Sequence, residues 1–143
     1  CARWKKIMLV VSIPQYVQGL TNAKIDLTTN TDAKTLYTAP SNADFNQSVI
    51  NSIIVSNDSG SASTITVTIT GDGLNGAGAV TNHIFNLFQV KDIAANTSVE
   101  LLTRDLILNA GEVIKVTAGH VDRLHVIASV QEYAIVRTPQ VDL

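Results

Sequence analysis

The residues able to bind an ion or move a proton are few and scattered. His83, His120 and His125 form neither an H-x-H nor an H-E-x-x-H pattern, so the ligand spacing of a zinc site is missing. The carboxylates Asp58, Asp72, Asp92, Glu100, Asp105, Glu112, Asp122 and Glu132 sit near turns. They lack the dense D-x-D-x-D-G run of a calcium loop, and nothing marks two of them as a pair for hydrolysis. There is no G-x-S-x-G elbow for a nucleophilic serine. Gly71-Asp72-Gly73-Leu74-Asn75-Gly76 spells G-x-G-x-x-G after a strand. A dinucleotide site also needs a helix opening at the last glycine. Here the chain runs on as "AGAVTNHIFNLF", so the stretch reads as a flexible inter-strand loop with glycines supplying positive φ. Asn46-Gln47-Ser48, Asn57-Asp58-Ser59 and Asn96-Thr97-Ser98 spell glycosylation sequons, read as chance matches. The expectation is no enzyme, no metal and no cofactor.

The elements that would position any site are strands. In "STITVTIT" (63–70), Ile65, Val67 and Ile69 alternate with threonines. Period two puts the aliphatic set on one face and the hydroxyls on the other, and β-branching suits a pleated surface. Similar runs recur between turn signals: "TLYTA" (35–39), "SVINSIIVSN" (48–57), "HIFNLFQV" (83–90), "SVELLT" (98–103), "LIL" (106–108), "EVIKVTA" (112–118) and "LHVIASVQEYAIV" (124–136). About eight strands without a convincing helix predict an all-β fold, a single jelly-roll-like antiparallel β-sandwich. Ile53, Val55, Ile65, Val67, Ile69, Leu101, Val116, Val126 and Ala128 are its expected core. Phe85 and Phe88, three apart, are expected on opposite strand faces.

Composition bounds the partners. The 143 residues make one domain, 45% hydrophobic and only 15% charged, with net charge −2. No basic surplus points to nucleic acid. The low charge suggests a surface that is neutral polar or covered by a partner. Cys1, the one cysteine, excludes an internal disulfide framework. As a first residue it reads as a trimmed or truncated start, with a processed, lipid-bearing terminus as the alternative. "CARWKKIMLVVSIP" resembles part of a signal peptide without a small-residue cleavage site, and residues 7–13 fall short of the ~20 that span a bilayer. Residues 1–33 are expected to be an extended N-terminal arm, 34–136 the sandwich and 137–143 a tail.

From Thr35 to Glu132 the order of segments resembles small β-sandwich virion proteins of tailed bacteriophages. "TLYTAPSNADFNQSVINSIIVSN" is similar to their opening "LYT-P" and "I-V-N" strands. "STITVTIT" resembles the next strand, "IAANTSVELLTRDLILNAGEVIKVTA" the long segment after it, and "LHVIASVQEYA" the closing strand. "GDGLNGAGAVTNH" is longer than the usual loop. The resemblance implies structural work without catalytic residues: a decoration or cement protein on the capsid surface, partnered by the major capsid protein and by itself as a homotrimer. A tail, neck or fibre component, or a carbohydrate- or receptor-binding module, is the alternative. The expected partner-binding residues lie in the arm (Trp4, Ile7, Leu9, Val11, Ile13, Tyr16) and the tail (Val136, Val141, Leu143), because an extended arm can add a strand to a neighbour's sheet edge.

Overall fold

The computed structural model describes residues 15–29, 32–41 and 45–135. The alternating runs form nine strands: β1 (Gln15–Leu27), β2 (Lys34–Thr38), β3 (Phe45–Asn57), β4 (Ser63–Asn75), β5 (Gly78–Ile93), β6 (Thr97–Glu100), β7 (Leu106–Asn109), β8 (Val113–Ala118) and β9 (Leu124–Ile135). They make two antiparallel sheets. One has the order β1-β9-β3, with β6 and β7 both on the far side of β3; the other has the order β2-β8-β4-β5. β6 and β7 share one place beside β3, so nine segments fill eight positions, four per sheet. That is the strand order of a jelly roll.

Residues 15–27, expected within the arm, instead form β1, paired along its length with β9. Their weak alternation hid this. From Gly19 onward β1 fully buries Leu27 and half-buries Ile25 and Ala23, as an edge strand with a neighbour on one side.

The inner faces meet in one apolar cluster. Leu27, Ile50, Ile53, Val55, Leu108, Leu124 and Val126 come from one sheet, and Ile65, Val67, Ile93, Ile114 and Val116 from the other; all have 0% exposure. The expected core residues Ile53, Val55, Ile65, Val67, Leu101, Val116, Val126 and Ala128 are buried, and Ile69 packs half-buried against them. Each such side chain contributes roughly 1.5–3 kcal/mol through burial. The threonines of β4 stand on the opposite face, beside Thr117 and Lys115 of β8.

β5 departs from simple alternation. Three register shifts against β4 each insert an extra residue in β5. One lies between Asn86 and Phe88, so Phe85 faces Ile69 and Phe88 faces Val67. Both rings therefore lie on the inner side, contrary to the expectation of opposite faces, because the bulge resets the parity.

A side-chain hydroxyl–carboxylate bridge crosses between the sheets. The Tyr37 hydroxyl on β2 donates to Glu132 Oε2 on β9 at 2.6 Å and lies 2.9 Å from Ser48 Oγ on β3. Burial, and then the bond to the carboxylate, hold the phenol well above its ordinary value of 10.0, against a small opposing effect from Ser48.

Two outcomes follow for stability. Ile65→Ala is expected to cost about 2–5 kcal/mol, whereas Thr68→Ala stays within about 0.5 kcal/mol, measured from urea midpoints. Equal costs would show that the faces of β4 are misassigned. The raised Tyr37 value means that the folded state favours the neutral phenol. Its contribution is therefore complete below pH 10 and is lost as pH rises beyond it. Stability of the parent protein should fall more steeply above pH 10 than that of Tyr37→Phe, and parallel curves would refute the bridge.

Candidate partner-binding surface

The candidate groups are dispersed, and three of them, Asp72, Glu100 and Glu112, bond backbone amides. Glu100 Oε2 accepts from the Ile53 and Leu102 amides at 2.8 and 3.2 Å, and its other oxygen accepts from the Ser52 hydroxyl. This ties the end of β6 to the bulge in β3 at Ile50/Ser52. Glu112 accepts from the Asn109 amide at 2.6 Å in the β7–β8 turn, and Asp72 from the Asn82 amide at 3.1 Å. His125 lies 3.4 Å from Asp26 and 3.1 Å from Asp58. His83 stacks edge-on against Phe85, and His120 sits 3.4 Å from the Ser63 hydroxyl. Among the described residues, no group of three or more His, Cys, Asp or Glu is placed to hold a metal ion.

Two motifs resolve into turn chemistry. Asn57, the first residue of a sequon, is 1% exposed. It donates to the carbonyls of Ser61 and Ile93 and accepts from the amide and hydroxyl of Ser59. That amide is spent on the β3–β4 turn and is closed to a glycan. The G-x-G-x-x-G stretch is not a loop but the outer half of the β4–β5 hairpin, which pairs as far as Asn75 and Gly78. None of its three glycines takes a positive φ; Gly78, just beyond it, does, at 128°. Gly71 and Gly73 serve close approach instead. A Cβ would meet the Glu112 carboxylate at the first and lie 2.5 Å from the Phe85 ring at the second.

What remains exposed and apolar is arranged on the outer faces. On the β1-β9-β3 sheet, Ile127 lies opposite Ile54, flanked by Lys24 on β1 and Glu100 on β6. Nearer the other end, Leu20, Gln131, Val49 and Ile107 form a second row across β1, β9, β3 and β7. Leu20 is 75% exposed and Ile107 57%. Leu74 and Ile84 stand out from the β4–β5 hairpin, and Val90 from a bulge in β5. A partial signal for these positions is present in the sequence. Where two apolar residues are consecutive in a strand, as in Ile53-Ile54 and Val126-Ile127, one must point outward.

Tyr16 lies in β1 opposite Ala134. Trp4, Ile7, Leu9, Val11, Ile13, Val136, Val141 and Leu143 lie outside the described residues. The register nonetheless sets where their segments begin. Gln15, the start of β1, pairs with Ile135, the end of β9. Residues 1–14 and 136–143 thus join the sandwich side by side at one end of one sheet.

No family model matches the sequence, and no curated protein matches it. Among solved structures, the fold is similar to a chain of the infectious bursal disease virus particle (11% identity, 85% of this chain and 40% of that one, TM-score 0.44). It is also similar to a mutant VP2 protein of that virus in derived T=1 particles (9% identity, 86% of this chain and 42% of that one, TM-score 0.41). A third similarity is to a chain of Bacillus endospore appendages, described as disulfide-linked pili (15% identity, 96% of each chain, TM-score 0.39). This chain thus spans less than half of the viral chains it is similar to.

Val90 offers a test of whether the outer surface is held at a cost to the fold. It is β-branched, 56% exposed and at φ 49°, a left-handed backbone that costs an ordinary residue about 1–2 kcal/mol. Asparagine tolerates that region. Val90→Asn is therefore expected to raise stability by roughly 0.5–1 kcal/mol in chemical denaturation. A loss of stability would show that the side chain packs on its own subunit.

Proposed function

We propose that this chain is a non-enzymatic structural protein of a tailed-bacteriophage virion, a decoration or cement protein that sits on the capsid surface as a homotrimer and bridges major capsid subunits. One observation carries the reading. Large apolar side chains stand in rows on the outer face of a sheet whose end also receives both terminal segments. The segments that resemble phage virion proteins support it, because they coincide with β2, β3, β4, β6 to β8 and β9 in jelly-roll order.

The mechanism is adhesive. A subunit that binds only the assembled shell stabilises it by mass action, since the bound free energy must be lost before shell subunits part. Burying rows such as Leu20/Val49/Ile107 contributes roughly 25 cal/mol per Å² of apolar area. The flanking Lys24, Glu100 and the serine and threonine hydroxyls set register through polar contacts rather than through a strong field.

Removing residues 1–13 leaves β1 whole and tests the terminal clamp. Particles decorated with the truncated protein are expected to bind fewer copies and to lose their contents at a lower temperature than those carrying the full chain. Copy number decides the location. Hundreds of copies per particle fit the capsid, whereas a handful, or saturable binding to one sugar class on a glycan array, would move the protein to the tail, neck, fibre or receptor-binding role.

A further inference from the structure

The four sheet edges differ in how they are guarded. β2, β6 and β7 have only four or five residues each. β5 is long, but its three bulges and the positive φ at Asn82 and Val90 break up the flat row of donors and acceptors that another strand would need. β1 lacks these devices over most of its length. From Gly19 to Leu27 it runs one residue against one with β9, with neither a bulge nor a proline. Among the described residues β9 is its only partner, and no other described strand pairs with its outer edge.

That edge is also incompletely covered. Ala23 and Ile25 point toward the core but are only half-buried. Leu20 points outward beside a shallow depression lined by Asn22, Asn51, Ser129 and Gln131. A strand laid along β1 would finish the inner row with one face and cover Leu20 with the other. Its inner face must be apolar, whereas its outer face would run beside the exposed Leu20, Asn22, Lys24 and Asp26.

The chain holds one such segment among the residues outside the description. "IMLVVSI" (7–13) alternates Ile7, Leu9, Val11 and Ile13 with Met8, Val10 and Ser12. Extended, its seven residues reach about 23 Å, within the nine regular residues of β1. It cannot readily fold back onto its own β1. Pro14 alone separates it from Gln15, and a two-residue hairpin needs positive φ at its first central residue, which proline forbids. The run itself has no Gly, Asn or Asp for a wider turn.

We propose that residues 7–13 of one copy add as a strand to the outer edge of β1, Gly19–Leu27, of a second copy. This deepens the assembly role above and rests on it for its setting, but it concerns contacts between copies of this chain rather than contacts with the capsid. Backbone hydrogen bonds supply the affinity, and the half-covered Ala23, Ile25 and Leu20 select an apolar segment.

Hydrogen exchange on the full-length protein tests this, alongside the full-length double variant Leu9→Asp/Val11→Asp. The parent is expected to sediment as an assembly and to protect amides of residues 19–27 that do not pair with β9. The variant should dissociate and exchange those amides faster by on the order of tenfold or more, with β3 and β8 unchanged. A peptide of residues 1–14 should restore protection to the variant, and a scrambled peptide should not. Identical β1 exchange in parent and variant, or changes confined to β2 or β5, would overturn the assignment. If the variant still binds and stabilises particles while β1 exchange is unaltered, this inference fails and the capsid role stands. If β1 is protected yet the protein joins no particle, the reverse holds.

Discussion

The structure depends on a single constraint: a strand has two faces, and a sandwich can hide only one of them. Ile65, Val67 and Ile114 disappear against Ile53, Val55 and Val126 of the other sheet, and the hydrophobic gain of that closure holds the domain together. Everything else is fitted around it. Outer faces carry hydroxyls together with exposed apolar side chains such as Leu20, Ile54, Ile107 and Ile127. The bulges in β5 keep Phe85 and Phe88 on the dry side despite an odd spacing that alternation alone would split.

Several polar residues serve the path of the chain itself. Asn57, Glu100, Glu112 and Asp72 satisfy backbone amides and carbonyls at turns and bulges, where the ladder leaves donors without partners. Tyr37 and Glu132 bridge the sheets near one end of the core. These are the same residue types that an active site would use, and here their lone pairs and protons are already engaged in holding the chain's path. The outer rows and edges are where the sequence can differ without disturbing the core.

Edges matter as much as faces. A sheet edge is either guarded or used. β5 is long and guarded by bulges; β1 is long and regular. The Gln15–Ile135 pair, where the described residues end on this sheet, lies at one end of that strand.

The sequence by itself determined the all-β class, the faces of β4, β8 and β9, and eight of the nine expected core residues, because period-two alternation and β-branching are local properties that burial then exploits. It also marked the turns, through Asn57-Asp58-Ser59-Gly60 and Asn109-Ala110-Gly111. It did not reveal β1. An edge strand buries half as much as a central one, so "QYVQGLTNAKIDL" carries only a faint alternation and is recognised by its register with β9. Nor did it separate the two roles of glycine in 71–78, since a close approach to Glu112 or Phe85 exists only once distant strands have met. The parity of Phe85 and Phe88, the splitting of one strand position between β6 and β7, and the shared exit of the two ends were likewise decided by tertiary structure. Each depends on which strands lie side by side, and pairing across sixty or a hundred residues leaves no trace in local spacing.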